Sequence, residues 1–172
     1  MLVEELQPHD YKIMVDMDGV LMDFVKGVNR LLDKEYSDEK YNSNPKYKKE
    51  MWDAVNEYSE KGGELWFELD LMSDAKELWE YVKKYEPEIL TSCGGDAGAR
   101  KQKPRSIEKH FGKGIKVNIV ERSPLKGDYA TPNSILIDDN KKSIEPWKAA
   151  GGIGILHTSA ANTIKELKKL GL

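Results

Sequence analysis

The sequence predicts an α/β fold built on a doubly wound parallel sheet. Three observations predict it. Five short segments, residues 11–16, 88–92, 116–121, 134–139 and 152–157, are apolar runs that end in small or polar residues. They run continuously instead of alternating, which suits strands covered on both faces. Helical patterns separate them, and strands alternating with helices fold as a layered α/β sheet.

The first strand carries Ile13, Met14 and Val15 straight into Asp16 and Asp18. About seventy residues then pass before the second strand begins at Glu88, where a crossover unit needs roughly thirty. The excess, residues 24–71, is expected to form a small helical cap inserted after strand one. Phe24, Val28, Leu31 and Leu32 mark one helical face, with Asp23 as its cap. Met51, Trp52, Val55 and Tyr58 mark another, entered through an Asn44-Pro45 start. Residues 37–44 read as a polar connector. Residues 1–23 and 72–172 are expected to form the core. Ala75, Leu78, Trp79 and Val82 recur at helical spacing before strand two, with Ser73 as the N-cap. Ile107 and Phe111 make a weaker stripe before strand three. Pro146, Trp147 and Ala150 fit a short helix closed by Gly151, and Ile164, Leu167 and Leu170 a last one closed by Gly171.

Composition excludes several classes. The chain of 172 residues is 39% apolar and 33% charged, with a net charge of -3. No global basic field advertises nucleic acid or an anionic membrane. A single cysteine, Cys93, leaves no disulfide framework and suits a reducing compartment. The acidic start MLVEELQPHD has no apolar leader, and no run is long enough to span a bilayer. A cytoplasmic protein is expected.

In open α/β sheets, ligands bind beyond the carboxyl ends of the strands. Those ends place together Asp16 and Asp18, Thr91 and Ser92, Arg122 and Lys126, and Asp138 and Asp139. Carboxylates crowded in one crevice repel, and burying them unpaired is costly. A hard divalent cation such as Mg²⁺ removes that cost with oxygen ligands alone. Lysine and hydroxyl groups beside it suit a phosphate. The set describes phosphoryl transfer. Asp16 is placed as nucleophile and Asp18 as the acid and base two residues on. Lys126 is the phosphate lysine by spacing, with Lys113 and Lys116 as alternatives.

The motifs DMDGVLMDF, a threonine ending strand two in ILTSCG, a later lysine and ILIDDN resemble the haloacid dehalogenase-like hydrolase superfamily. The likeness spans the chain in order. It implies a phosphatase or mutase, because Asp18 stands where the dehalogenases lack the acid. It also implies a metal held by Asp16, the Asp18 main-chain carbonyl and the strand-four pair, with Asp139 as direct ligand and Asp138 as outer partner. Together with ELWFELDLMSDAKELWEYV, these motifs are most similar to the 5'(3')-deoxyribonucleotidase family. That family carries a helical cap after strand one, whose aromatics stack on a nucleobase. The resemblance therefore implies substrate contacts from Trp66 and Phe67.

The expectation is a Rossmann-like core with strand order 3-2-1-4-5 under a helical cap. Its activity is expected to be Mg²⁺-dependent removal of phosphate from nucleoside 5'-monophosphates, including deoxynucleotides. Catalytic roles fall to Asp16, Asp18, Thr91 and Lys126, metal binding to Asp16, Asp18, Asp138 and Asp139, and substrate binding to Ser92, Arg122, Trp66 and Phe67. The partner is a small phosphate ester, with homodimerisation left open. Sugar phosphates and polynucleotide ends are the alternative substrates. A phosphate-binding module without turnover is the alternative class. Trp52, Trp79 and Trp147 read as core, the three histidines as structural or surface, and Arg100 to Lys103 as a solvated helix start.

Overall fold

The computed structural model describes residues 6–172. Five parallel strands form one sheet: β1 (Lys12–Val15), β2 (Glu88–Ser92), β3 (Val117–Val120), β4 (Ser134–Asp138) and β5 (Ile153–Leu156). Their order is β3-β2-β1-β4-β5. The order reverses beside β1, so β1 and β4 meet at the centre with Val15 opposite Ile137.

Both faces are buried, which explains the unbroken apolar runs. Ile13, Val15, Ile89, Ile135 and Ile137 point to one side, where they share a core with Leu78, Trp79, Val82, Ile107 and Leu167. Met14, Leu90 and Leu136 point to the other, against Ile144 and Trp147. Helices α5 (Ala75–Val82), α6 (Ala97–Phe111) and α8 (Ala160–Lys169) supply the first layer, and α7 (Lys141–Ala149) the second. Successive strand residues face opposite layers because the side-chain period is two.

The excess between β1 and β2 is helical: α1 (Phe24–Leu32), α2 (Asp38–Ser43), α3 (Pro45–Glu60) and α4 (Leu65–Glu68). The side chain of Asp23 accepts from the Lys26 amide and starts α1; Asn44 accepts from the Lys46 amide and starts α3. The stretch read as a polar connector is mostly α2, started by Ser37, whose Oγ accepts from Lys40. Tyr41, buried on that helix, gives it a reason to form. The start of α5 falls at Asp74, one residue after the expected Ser73. The insertion leaves and returns through neighbouring backbone. Met22 and Leu71 form an antiparallel bridge, the Asp23 amide donates to Asp70 O, and the Met72 amide donates to Leu21 O.

Among the described residues, no helix is long and apolar enough to cross a membrane. The expected absence of a leader falls largely on residues 1–5, outside the described residues.

Candidate active site

The Asp16 amide donates to Ile137 O at 2.9 Å, which draws the end of β1 level with the end of β4. One carboxylate oxygen each from Asp16, Asp138 and Asp139 then lies within 4.8 Å of the others. Lys126 reaches in from a 3₁₀ segment, residues 123–129, and is 1% exposed. Its Nζ donates to Asp16 Oδ1 at 2.8 Å and to Asp138 Oδ2 at 2.6 Å. Lys113 and Lys116, the alternatives for this position, instead face Glu108 and Glu88 at the surface.

The acids differ in their surroundings. Asp138 is fully buried; its second oxygen, Oδ1, accepts from the Asn140 amide at 2.8 Å. Burial first, then repulsion from Asp16, raises its pKa to about 6 against the opposing pull of Lys126. Asp139 lies at the open rim. Crowding of its carboxyl by protein, then repulsion from Asp16 and Asp138, raises it to about 8. Solvent at the rim softens the first cause, so repulsion is the part that persists. Lys126 is raised by the two carboxylates that hold it, which outweigh the opposing effect of its burial.

Asp18 turns away from this trio. Its Oδ2 accepts from Lys103 Nζ at 2.7 Å, while Oδ1 is buried without a hydrogen-bond partner among the described residues. Burial pushes its pKa up, and Lys103 holds part of that rise back. The Lys103 ammonium also donates to Thr91 Oγ1 at 3.0 Å and to the Ser92 carbonyl at 2.7 Å. Lys103 is completely buried, which corrects its reading as part of a solvated helix start. The missed signal was a stripe. Ala99, Gln102, Lys103, Ser106 and Ile107 are the buried face of α6 and recur at helical spacing, but most of them are polar. Arg122 is exposed and stands at the start of the 3₁₀ segment that carries Lys126, while a buried lysine, Lys103, is paired with Asp18.

The expected aromatic platform is also corrected. Trp66 is 2% exposed. Its ring stacks on Phe24 at 5.1 Å and carries Lys103 Nζ at 4.5 Å from its centroid. Its Nε1 donates to Asp96 Oδ2 at 2.6 Å and its amide to Gln102 Oε1 at 3.0 Å. A tryptophan so enclosed has no free face. Phe67 lies under Arg105 and Lys109 of α6. Phe24 and Trp52 keep partial exposure, and Trp52 packs so close to Gly94 that a Cβ there would lie 2.7 Å from the ring. Ser92 contributes its carbonyl to Lys103. Cys93 is buried, with its thiol beside Glu121.

No family model matches the chain, and no curated protein matches it. Solved structures do. A hydrolase from Streptococcus pneumoniae TIGR4 aligns at TM-score 0.58 and 16% identity, over 92% of this chain and 98% of that one. A candidate beta-phosphoglucomutase from Thermotoga maritima gives 0.55 and 17%, over 92% and 99%. A haloacid dehalogenase-like family hydrolase from Streptococcus pneumoniae gives 0.56 and 16%, over 92% and 91%. At these identities the likeness establishes a shared fold: a parallel sheet in order 3-2-1-4-5 with a helical insertion after the first strand.

Proposed function

We propose that this chain is a Mg²⁺-dependent phosphomonoesterase that works through an aspartyl phosphate on Asp16. The observation that carries the reading is the trio Asp16, Asp138 and Asp139, gathered within 4.8 Å, with the buried Lys126 bridging Asp16 and Asp138. The donor set fits a hard cation. All three side chains offer oxygens, and the raised pKa values of Asp138 and Asp139, from burial first and then mutual repulsion, reflect charge that a dication would offset. Asp16 and Asp139 would hold it directly. Both oxygens of Asp138 are already engaged, so Asp138 acts as an outer partner. The Asp18 carboxylate is turned to Lys103, so Asp18 would contribute through its main chain. Bound there, the ion would offset charge on the phosphoryl oxygens.

The residues divide the work. Lys126 fixes Asp16 Oδ1, whose second lone pair would remain for the ion, and leaves Oδ2 to attack phosphorus. An ammonium has three donors, two of which are taken by Asp16 and Asp138; the third is free for a phosphoryl oxygen. Thr91 Oγ1 accepts from Lys103, so its own hydrogen is free for a second phosphoryl oxygen. As the ester P–O bond breaks, Asp18 gives its proton to the departing alkoxide. The raised pKa of Asp18 favours that acid form. Water then attacks the phosphorus of the aspartyl phosphate, Asp18 takes the proton, and the Asp16 carboxylate is regenerated.

For the leaving group we propose a nucleoside 5'-monophosphate. The sequence motifs and the partly exposed rings of Phe24 and Trp52, 6.0 Å apart, support it. A second reading, a sugar phosphate, is favoured by the enclosure of Trp66 and by the likeness to the candidate beta-phosphoglucomutase. A cytoplasmic setting, with one reduced cysteine, suits either substrate.

A panel of nucleoside, sugar and polynucleotide-end phosphates assayed with Mg²⁺ tests these readings. Asp16→Asn is expected to cut turnover by on the order of 10⁴ or more while the circular dichroism spectrum is unchanged. Turnover that survives this variant removes the aspartyl phosphate. Sugar phosphates far ahead of every nucleotide replace the substrate and keep the mechanism. Phosphate binding with no turnover of any ester makes the chain a binding module.

A further inference from the structure

We propose that Lys103 is a positioning residue for this reaction: it sets the Asp18 carboxylate and the Thr91 hydroxyl in one mutual geometry and ties both to Trp66 of the insertion. The proposal rests on the phosphatase reading above. It begins with an anomaly of burial. Lysine is almost never fully buried unless its charge is paired, yet Lys103 is 0% exposed in the middle of α6. An apolar side chain of similar length would fill the same space without a desolvation cost. The charge therefore serves something other than packing.

Counting donors shows what it serves. The Lys103 ammonium has three N–H groups. One goes to Asp18 Oδ2, one to Thr91 Oγ1 and one to the Ser92 carbonyl, at 2.7, 3.0 and 2.7 Å. None is left for a substrate. Among the described residues Lys126 donates to two partners, Asp16 and Asp138, so the two buried lysines divide their roles. Lys126 can touch the phosphoryl group, and Lys103 acts through other residues.

Two consequences follow for the groups it holds. With Oδ2 engaged, the other Asp18 oxygen, Oδ1, is the one left to carry and deliver a proton; it is buried and has no partner among the described residues. With its oxygen accepting from Lys103, Thr91 keeps its single hydrogen for the phosphoryl group. One nitrogen thus sets the distance between the proton donor and a phosphate donor. The same nitrogen lies over the Trp66 ring. The neighbouring Gln102 accepts from the Trp66 amide, so the placement of the insertion and that of the acid are linked at one turn of α6.

The test uses leaving groups of different need. An alkoxide requires a proton from the acid in order to leave; the 4-nitrophenolate of 4-nitrophenyl phosphate departs without one. The wild-type protein and Lys103→Met are assayed with Mg²⁺ on 4-nitrophenyl phosphate and on the alkyl monophosphate turned over best in the panel above. In the variant, kcat/KM is expected to fall about 100-fold or more on the alkyl ester and less than about 10-fold on the aryl ester, as for loss of a placed general acid. The loss should fall on kcat more than on KM. In an Asp18→Asn background, Lys103→Met is expected to add less than about threefold on the alkyl ester, because residues acting as a unit are not additive. Should the methionine variant not fold, Lys103→Arg keeps the buried charge but cannot place three donors on one point, and the same ester-selective loss is expected. Equal losses on the two esters, or no loss, in a folded variant overturn the placement of Asp18 and with it the joint geometry proposed for Lys103, and leave the phosphatase reading standing. Wild-type protein inactive on both esters overturns the reading and this proposal together.

Discussion

Gly19 shows how tightly the site is built at the scale of single residues. It has φ +83, and a Cβ built on it would lie 2.0 Å from Asp139 Oδ2. The turn after β1 can therefore lie this close to the Asp139 carboxylate because this residue has no side chain. Gly19→Ala is expected to destabilise the fold by about 1–3 kcal/mol. It should also push Asp139 aside and weaken Mg²⁺ binding. Urea denaturation and a calorimetric Mg²⁺ titration measure the two effects; wild-type values in both would mean that Asp139 does not rest against the turn. Lys126 poses the opposite problem, a cation whose removal strands two acids. Lys126→Met leaves Asp16 and Asp138 without their countercharge. A loss of about 3–5 kcal/mol is expected from breaking such a buried pair, with part of it recovered on adding Mg²⁺. The acids and Lys126 were legible in the sequence because each sits at or just beyond a strand end. Lys103 was not, because a basic run reads as solvated until the element that covers it is known.

At the scale of elements, α6 joins the insertion to the core. Its N-cap, Asp96, accepts from the Gly98 amide through Oδ1 and from the Trp66 indole through Oδ2. Ser59 of α3 donates to the same Oδ2 at 3.3 Å. One carboxylate thus starts a core helix and anchors two helices of the insertion. Asp96→Ala should lose about 1 kcal/mol as a helix cap. It should lose a further ~1.5–3 kcal/mol as a charge-assisted bond to the indole. The stability change is read by denaturation, and a shift in tryptophan fluorescence reports the freed indole. A stability loss without any change in tryptophan emission would confine Asp96 to capping. The helix itself was half visible in the sequence. Ile107 and Phe111 marked its end. The polar face of Ala99, Gln102, Lys103 and Ser106, with Pro104 inside it, hid its first turns from a reading based on apolar periodicity. The strands had no such conflict, and their observed bounds lie within a residue of the expected ones.

At the scale of the whole molecule, the acid cluster is expected to make stability depend on pH and, on the proposed reading, on Mg²⁺. Asp138 and Asp139 titrate near 6 and 8 in the folded protein, against an ordinary value of 3.8. Between those values the folded state holds more protons than the unfolded chain. Stability of the metal-free protein is therefore expected to fall as pH rises toward about 8. Buried His157, whose pKa is lowered mainly by burial, opposes this by costing stability as pH falls below about 6.5. Thermal unfolding at about pH 6.5 and pH 8.5, in EDTA and in saturating Mg²⁺, separates the terms. The midpoint in EDTA should be lower at the higher pH, and the gain from Mg²⁺ should be larger there. An equal gain at both pH values would place the ion away from these acids. The sequence by itself determined the sheet, its helical insertion and the gathering of acids at the strand ends. Those follow from local periodicity and from the fact that parallel strands present their carboxyl ends on one edge. Only the tertiary structure decided that Trp66 is enclosed and that Lys103 is buried and holds Asp18. Burial of a polar group depends on which partner lies across the fold, and no spacing along one segment records that.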